Sequence, residues 1–245
     1  MPRSTQQPHP VAATLEEDIL FGRLRSRERL IEDELIERFG ATRHVVRQAL
    51  VELERRGMVV RQPNRGAVVR DFSRAEVEQI CKVRELLHAQ AAAMIPLPAP
   101  LALVRQLKKL QDTHAREVEA GNLSGIHRVN NEFHDALFTA CGNPYLAQTI
   151  RDYAQMSLVF RCHVMVNPFL VRRARDEHGA MIAALERGDR AALVRLCVRH
   201  TQPAQDVYLS MQAGPGAAVD PRVAPRSPAA TPQAPAKRGR TRASR

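Results

Sequence analysis

The segment that decides the fold runs from Glu32 to Val69, EDELIERFGATRHVVRQALVELERRGMVVRQPNRGAVV. Glu32 to Phe39 predicts a short helix that buries Leu35, Ile36 and Phe39, and Gly40 closes it. Thr42 can cap the next helix, Arg43 to Arg56, whose Val46, Ala49, Leu50 and Leu53 form one apolar stripe. Arg43, His44 and Arg47 fall off that stripe, in its first turn and a half, and Gly57 terminates the helix. Met58 to Val60 and Ala67 to Val69 read as two short strands joined by a turn containing Pro63, Asn64 and Gly66. The pattern predicts a helix-turn-helix with a β-wing. A helix entering the major groove end-on presents its first residues to the bases, where arginine can donate two parallel hydrogen bonds to guanine. Thr42, Arg43, His44 and Arg47, with Asn64, Arg65 and Gly66 of the wing turn, are therefore the candidate DNA-contacting residues.

Charge supports that placement. The 245 residues carry a net charge of +11, unevenly spread. From Glu37 to Arg70 there are eight arginines against three acids. Residues 71–212 hold seventeen bases and fifteen acids, and residues 213–245 hold seven bases and one acid. A single arginine is most often just a solvated surface group; it is the clustering that points to nucleic acid bound at one end. The expected organisation is a disordered tail over 1–13, a DNA-binding module over 14–70, a linker over 71–75, a helical module over 76–212 and a disordered basic Pro/Ala-rich tail over 213–245.

Upstream, Thr14 and Glu17 are spaced as a capping box for a first helix reaching about Phe21. Downstream, Ser73 and Glu76 form a second such box, opening a helix to about Met94 that the proline-rich run Pro96 to Pro100 stops. Further helices are predicted over Leu101–Glu119, Leu123–Ala140, Pro144–Met165, Pro168–Glu186 and Asp189–Met211. The fold class is mainly α, a winged helix-turn-helix followed by an all-helical bundle. The longest uncharged apolar run, Ala91 to Val104, is interrupted by three prolines and too short for a membrane span, and the amino terminus lacks a secretory core. A bacterial-type cytoplasmic location is expected. Cys81, Cys141, Cys162 and Cys197 are too dispersed for a zinc knuckle and read as free buried thiols.

In the helical module Asn130 and His134 share a helix face, and His178 and His200 lie on later helices that a bundle could bring together. Three imidazoles and one oxygen suit zinc, nickel or manganese. Isolated histidines are more often surface or satisfied core residues, so spacing alone leaves both readings open.

The run from Leu24 to Val69 resembles the winged helix-turn-helix of the GntR family of bacterial transcription regulators. The resemblance rests on Thr42-Arg43, Val46-Arg47, Ala49-Leu50, Leu53-Glu54, Gly57 and Pro63-Asn64-Arg65-Gly66. It departs from the family at Arg25-Ser26-Arg27, where Pro-Gly is common, and at Asp33, where some members carry a DNA-contacting arginine, so that contact is not transferred. Asn130 to His134, Asp176-Glu177-His178 with Ile182 and Leu185, and Arg199-His200 resemble the metal-binding pattern of the FCD effector domain of the FadR subfamily, with Asn130 where many members have Asp.

That resemblance implies a divalent cation held by Asn130, His134, His178 and His200 in an effector pocket, and a small carboxylate bound beside it. Arg84 matches an arginine able to anchor the carboxylate; the competing reading is a helix-surface ion pair. His88 stands where the family often has Glu, and Tyr153, Arg161 and His163 are further candidates for the cavity wall. The implied protein is a homodimer that binds a palindromic operator in double-stranded DNA and represses until an organic acid binds; it is not an enzyme. The competing classes are a metal-dependent hydrolase, disfavoured by the lack of a His-Glu-x-x-His motif, and a non-specific nucleic-acid binder acting through the basic tail.

Overall fold

A computed structural model describes residues 10–62 and 66–212, apart from the Cys162 side chain. The wing turn with Pro63, Asn64 and Arg65, residues 1–9 and the basic tail 213–245 lie outside the described residues. The first module comprises α1 (Pro10–Leu20), β1 (Arg29–Leu30), α2 (Glu32–Phe39), α3 (Arg43–Arg55), β2 (Val59–Gln62) and β3 (Gly66–Val69). Its strands form an antiparallel sheet in the order β1-β3-β2, in which Val60 faces Val68 and Leu30 faces Ala67. The helix-turn-helix matches the expectation closely. Gly40 closes α2 in the left-handed conformation, and the Thr42 hydroxyl accepts from the Val45 amide to cap α3.

Two local expectations are corrected. α1 begins at Pro10, within the stretch expected to be disordered, because Pro suits a first helical turn and Val11 and Ala12 have a core to enter. Thr14 is therefore no cap; its hydroxyl donates to the Pro10 carbonyl inside the helix. The strand β1 was not foreseen. It requires Gly66, at φ +80°, because a Cβ there would lie 2.2 Å from the Leu30 carbonyl oxygen.

The second module is helical throughout: α4 (Arg74–Met94), α5 (Leu101–Ala120), α6 (Leu123–Thr139), α7 (Pro144–Met156), α8 (Leu158–Met165), α9 (Pro168–Arg187), α10 (Arg190–Arg199) and α11 (Gln202–Gln212). The Ser73–Glu76 capping box forms at the start of α4 as expected. Two predicted long helices are each broken in two. At Ser157 the hydroxyl donates to the Tyr153 and Ala154 carbonyls, satisfying the end of α7 before α8 departs. At His200-Thr201 the Thr201 hydroxyl donates to the Val198 carbonyl, and Pro203 sits in the first turn of α11.

The breaks decide how the modules pack. One hydrophobic core holds Leu15, Leu50, Leu53 and Val69 of the first module together with Leu158, Val159 and Phe160 of α8 and Tyr208 and Leu209 of α11. A second core joins α4, α5, α6, α9 and α10 around Leu107, Phe133, Leu137, Met181 and Leu185. The segment 71–75, read as a linker, is pinned: Phe72 is fully buried, its amide donates to the Tyr208 hydroxyl, and its carbonyl accepts from Gln212 Nε2. The Tyr208 hydroxyl in turn donates to Asp71 at 2.7 Å. Cys81, Cys141 and Cys197 are free and buried. No described helix is long and apolar enough to cross a membrane.

Candidate functional site

The second module brings together the three histidines from α6, α9 and the α10–α11 break. His134 Nε2 lies 3.1 Å from His200 Nε2 and 3.3 Å from His178 Nε2. His200 Nδ1 donates to Glu177 Oε2 at 2.7 Å, which turns the other ring nitrogen toward its neighbours. Phe133 stacks on the His178 ring with centroids 4.1 Å apart, and Phe138 stacks against His134 at 5.9 Å. Burial, reinforced by the neighbouring His200, drives His134 and His178 well below the usual imidazole range, so both are neutral at pH 7.

Neutral rings in this arrangement cannot satisfy one another. The His134 Nε2 faces two other nitrogens but can share one hydrogen with only one of them. A divalent cation held by His134, His178 and His200 would resolve the conflict by taking one lone pair from each. Nitrogen ligands of such an ion would lie about 3.0–3.4 Å apart, and His134 Nε2 lies 3.1 and 3.3 Å from its two neighbours. The donor set therefore fits a metal ion; ring nitrogens suit zinc or nickel, and manganese would call for added oxygen donors. Asn130, one turn before His134 on α6, lines the same cavity. Glu177 orients His200 and is itself bonded by Arg173 at 2.9 Å. Burial alone would raise its pKa, yet the bonds from His200 and Arg173 hold it below the usual carboxylate value.

The cavity has a volume of about 300 Å³. Its wall is largely apolar, with Ile126, Phe138, Ile150, Leu158 and Val171, and Arg84 and His88 enter it from α4. Arg84 is not the surface ion pair that its sequence context allowed. It is 5% exposed, and among the described residues its Nε and Nη1 have no hydrogen-bond partner. Burial lowers its pKa to about 10, which leaves it charged at neutral pH. The His88 ring packs 4.5 Å from the Phe138 ring, so Phe138 contacts both His88 and His134. Arg161 also lines the wall, whereas Tyr153 and His163 do not; His163 packs instead beside Tyr208. Sequence reading missed His114, a fully buried cavity residue edge-on to His178. Its place on the inner face of α5, with Leu107 and Leu103, was the available signal.

The candidate DNA-reading residues Thr42, Arg43, His44 and Arg47 are all exposed at the amino-terminal end of α3. Arg43 pairs with Asp33 at 2.6 Å, and Arg47 Nε donates to both carboxylate oxygens of Glu32. Gly66 is held against β1, while Asn64 and Arg65 fall outside the described residues.

Comparison with known proteins places both modules. Residues 9–69 match the model of the bacterial regulatory proteins of the gntR family, and residues 79–203 match that of the FCD domain. The regulator McbR of Escherichia coli is 25% identical over 182 residues, which cover 72% of this chain and 80% of that protein. An uncharacterised regulator of Agrobacterium vitis is 29% identical over 113 residues, 45% of this chain and 66% of that protein. Among solved structures, that of E. coli McbR superposes with a TM-score of 0.65 at 21% identity, covering 82% of this chain and 96% of that one. A putative regulator from Rhodococcus sp. RHA1 gives 0.62 at 20% identity, with the same coverage. With its winged helix and helical module matched in sequence and in fold, the chain belongs to the GntR family of bacterial DNA-binding transcription regulators and, by its FCD domain, to the FadR subfamily.

Proposed function

We propose that the protein is a repressor whose grip on DNA is released by a small organic acid bound beside a metal ion in the helical module. The observation that carries this reading is Arg84: a buried guanidinium, charged at neutral pH, with Nε and Nη1 unpartnered among the described residues, lining the same cavity as His134 and His200. An uncompensated buried cation is costly unless an anion completes it. A carboxylate suits the planar fork of arginine, with the remainder of the ligand on the apolar wall and a second oxygen toward the metal. His134, His178 and His200 would hold the ion, with Asn130 as a fourth donor, and the ion would supply a fixed positive charge for the acid. Glu177 is already committed to His200, Arg173 and Arg199, which suits orienting the metal ligand rather than acting as a hydrolytic base.

The route to DNA runs through the two short helices. Leu158 of α8 lines the cavity and belongs to the core shared with the winged helix. α11 begins beside the metal ligand His200, contributes Pro203 and Ala204 to the cavity, and carries Tyr208 onto Asp71 and Phe72. Occupancy of the cavity shifts the balance between DNA-competent and incompetent arrangements by the ligand's differential affinity for the two. A homodimer places two copies of α3 in successive major-groove half-sites of a palindromic operator, using Thr42, Arg43, His44 and Arg47 with Asn64, Arg65 and Gly66 of the wing. It acts in the cytoplasm, on the nucleoid when bound.

The test is release of the full-length, metal-loaded protein from a selected operator duplex by a panel of mono- and dicarboxylic acids, with and without a chelator. At least one acid is expected to release DNA in a metal-dependent way. If no acid shifts either operator binding or the melting temperature, the effector reading fails.

A further inference from the structure

Arg84 and His88 lie one turn apart on α4, each 5% exposed, and both line the cavity of the helical module. They do not satisfy one another. Arg84 Nε and Nη1 and His88 Nδ1 are all buried without a hydrogen-bond partner among the described residues. A guanidinium can only donate, so what Arg84 lacks is an acceptor. What His88 lacks is set by its other ring nitrogen.

The break between α10 and α11 supplies that constraint. There the Thr201 amide donates to the Val198 carbonyl at 3.1 Å instead of reaching back four residues to Cys197. The Cys197 carbonyl accepts from a ring N–H of His88. Because Nδ1 is the nitrogen without a partner, that donor is Nε2. Burial, reinforced by Arg84, keeps the ring well below the usual imidazole range, so it is neutral and Nδ1 carries a lone pair.

A plain carboxylate answers half of this pair. It accepts from Arg84 and leaves the Nδ1 lone pair without a donor, which is costly in a buried site. Residues four apart on a helix have Cβ atoms about 5–6 Å apart, so one small ligand spans both groups when its anion and its donor are separated by one or two carbons. An ammonium donates, but Arg84 and Arg161 make the surroundings of the ring positive. The carboxylates that line the cavity among the described residues offer it no counter-charge: Asp135 is bonded to Arg151, and Glu177 to Arg173 and His200. A hydroxyl donates without adding charge.

We propose that the cavity selects a hydroxycarboxylic acid, its carboxylate on Arg84 and a hydroxyl on the second or third carbon donating to His88 Nδ1, with His88 the residue that separates hydroxy acids from their unsubstituted parents. The inference rests on the reading of the cavity as an effector site and names the class of acid it takes.

The test is calorimetric titration of the full-length, metal-loaded protein, without DNA, with two matched sets of acids. One set is 2- and 3-hydroxybutanoate, their methyl ethers, butanoate and 2-aminobutanoate; the other is malate, methoxysuccinate, succinate and aspartate. The hydroxy acid of a set should bind about tenfold or more tighter than both the unsubstituted acid and the methyl ether, which keeps the oxygen and loses the donor. His88→Phe keeps a ring against Phe138 and has no acceptor; it should bring that ratio to within about twofold while still binding the unsubstituted acid. His88→Gln, whose amide can donate to the Cys197 carbonyl and accept from the ligand, should restore part of the preference. If His88→Phe does not fold, the wild-type comparison of hydroxy acid with methyl ether decides. Equal affinities across a set overturn the hydroxyl assignment and leave the effector reading standing, as does tightest binding by 2-aminobutanoate or aspartate. A hydroxyl preference that persists in His88→Phe places the contact on another group, the metal ion included, and overturns the role of His88. No binding by any member overturns the hydroxy-acid assignment, whatever a wider panel of acids shows for the effector reading itself.

Discussion

The proposed DNA-reading face and the cavity of the helical module both carry arginines, under opposite conditions. On α3, Arg43 and Arg47 are more than half exposed and already paired with Asp33 and Glu32. In the cavity, Arg84 is buried and two of its nitrogens have no partner among the described residues. Exposed ion pairs are worth little and exchange partners easily, so a phosphate or a base can replace a carboxylate at small cost. A buried, unpartnered cation has no such substitute within the fold and gains most from an outside anion. On the proposed reading, one surface suits reversible exchange with DNA and the other selective capture of a ligand.

The contrast can be broken most severely at the histidine cluster. His134→Ala removes the nitrogen that faces both other rings, and metal analysis of the purified variant should show the ion lost, with at least a hundredfold weaker metal affinity; full stoichiometry would exclude His134 as a ligand. Arg84→Met should separate binding from stability, because a methionine fills the space without burying a charge. The variant should unfold at equal or higher denaturant, by about 1 kcal/mol or more, while its response to the releasing acid disappears. A marked loss of stability would show instead that Arg84 has a structural partner.

Acid should expose a third difference. Burial, with Arg161 nearby, pushes His127 down to about 4, and its ring accepts a hydrogen bond from Asn131 only while neutral. Its contribution is therefore complete above the unfolded value near 6.5 and is lost as pH falls toward about 4. Stability should drop between pH 7 and pH 5 by on the order of 1 kcal/mol from this ring. His127→Gln should flatten that drop in denaturation curves measured at the two pH values. At the small end, Lys108→Ala removes an exposed pair with Glu186 and should change stability by less than about 0.5 kcal/mol in the same assay; a larger loss would undercut the distinction between exposed and buried charge.

Much of the first module was legible because its signals are local. Gly40 and Thr42 mark a helix exit and entry within three positions, and the stripe Val46, Ala49, Leu50 and Leu53 defines the buried face of α3. β1 was not legible, since two residues pair with β3 nearly forty positions away and carry no periodicity. The break at Ser157 had no glycine or proline to announce it, and the one at His200 had only Pro203. Residue types and helix spacing raised the three histidines as candidates, and the FCD resemblance gave them a common role. Neither showed Phe133 and Phe138 stacked around them, or Glu177 behind His200.

Caps and periodicity in the sequence placed most of the helices, though not the start of α1 or the breaks at Ser157 and His200, and fixed their apolar faces and the end of α3 that carries the arginines. Caps and side-chain periodicity act over a few residues and need no distant partner. The tertiary structure alone decided that three imidazoles from separate helices meet within 3.3 Å across two of their contacts, and that Arg84 turns into a cavity rather than to solvent. It also decided that α8 and α11 share a core with the winged helix. Those outcomes depend on packing between segments far apart in the chain, where burial removes the water that would otherwise satisfy each polar group.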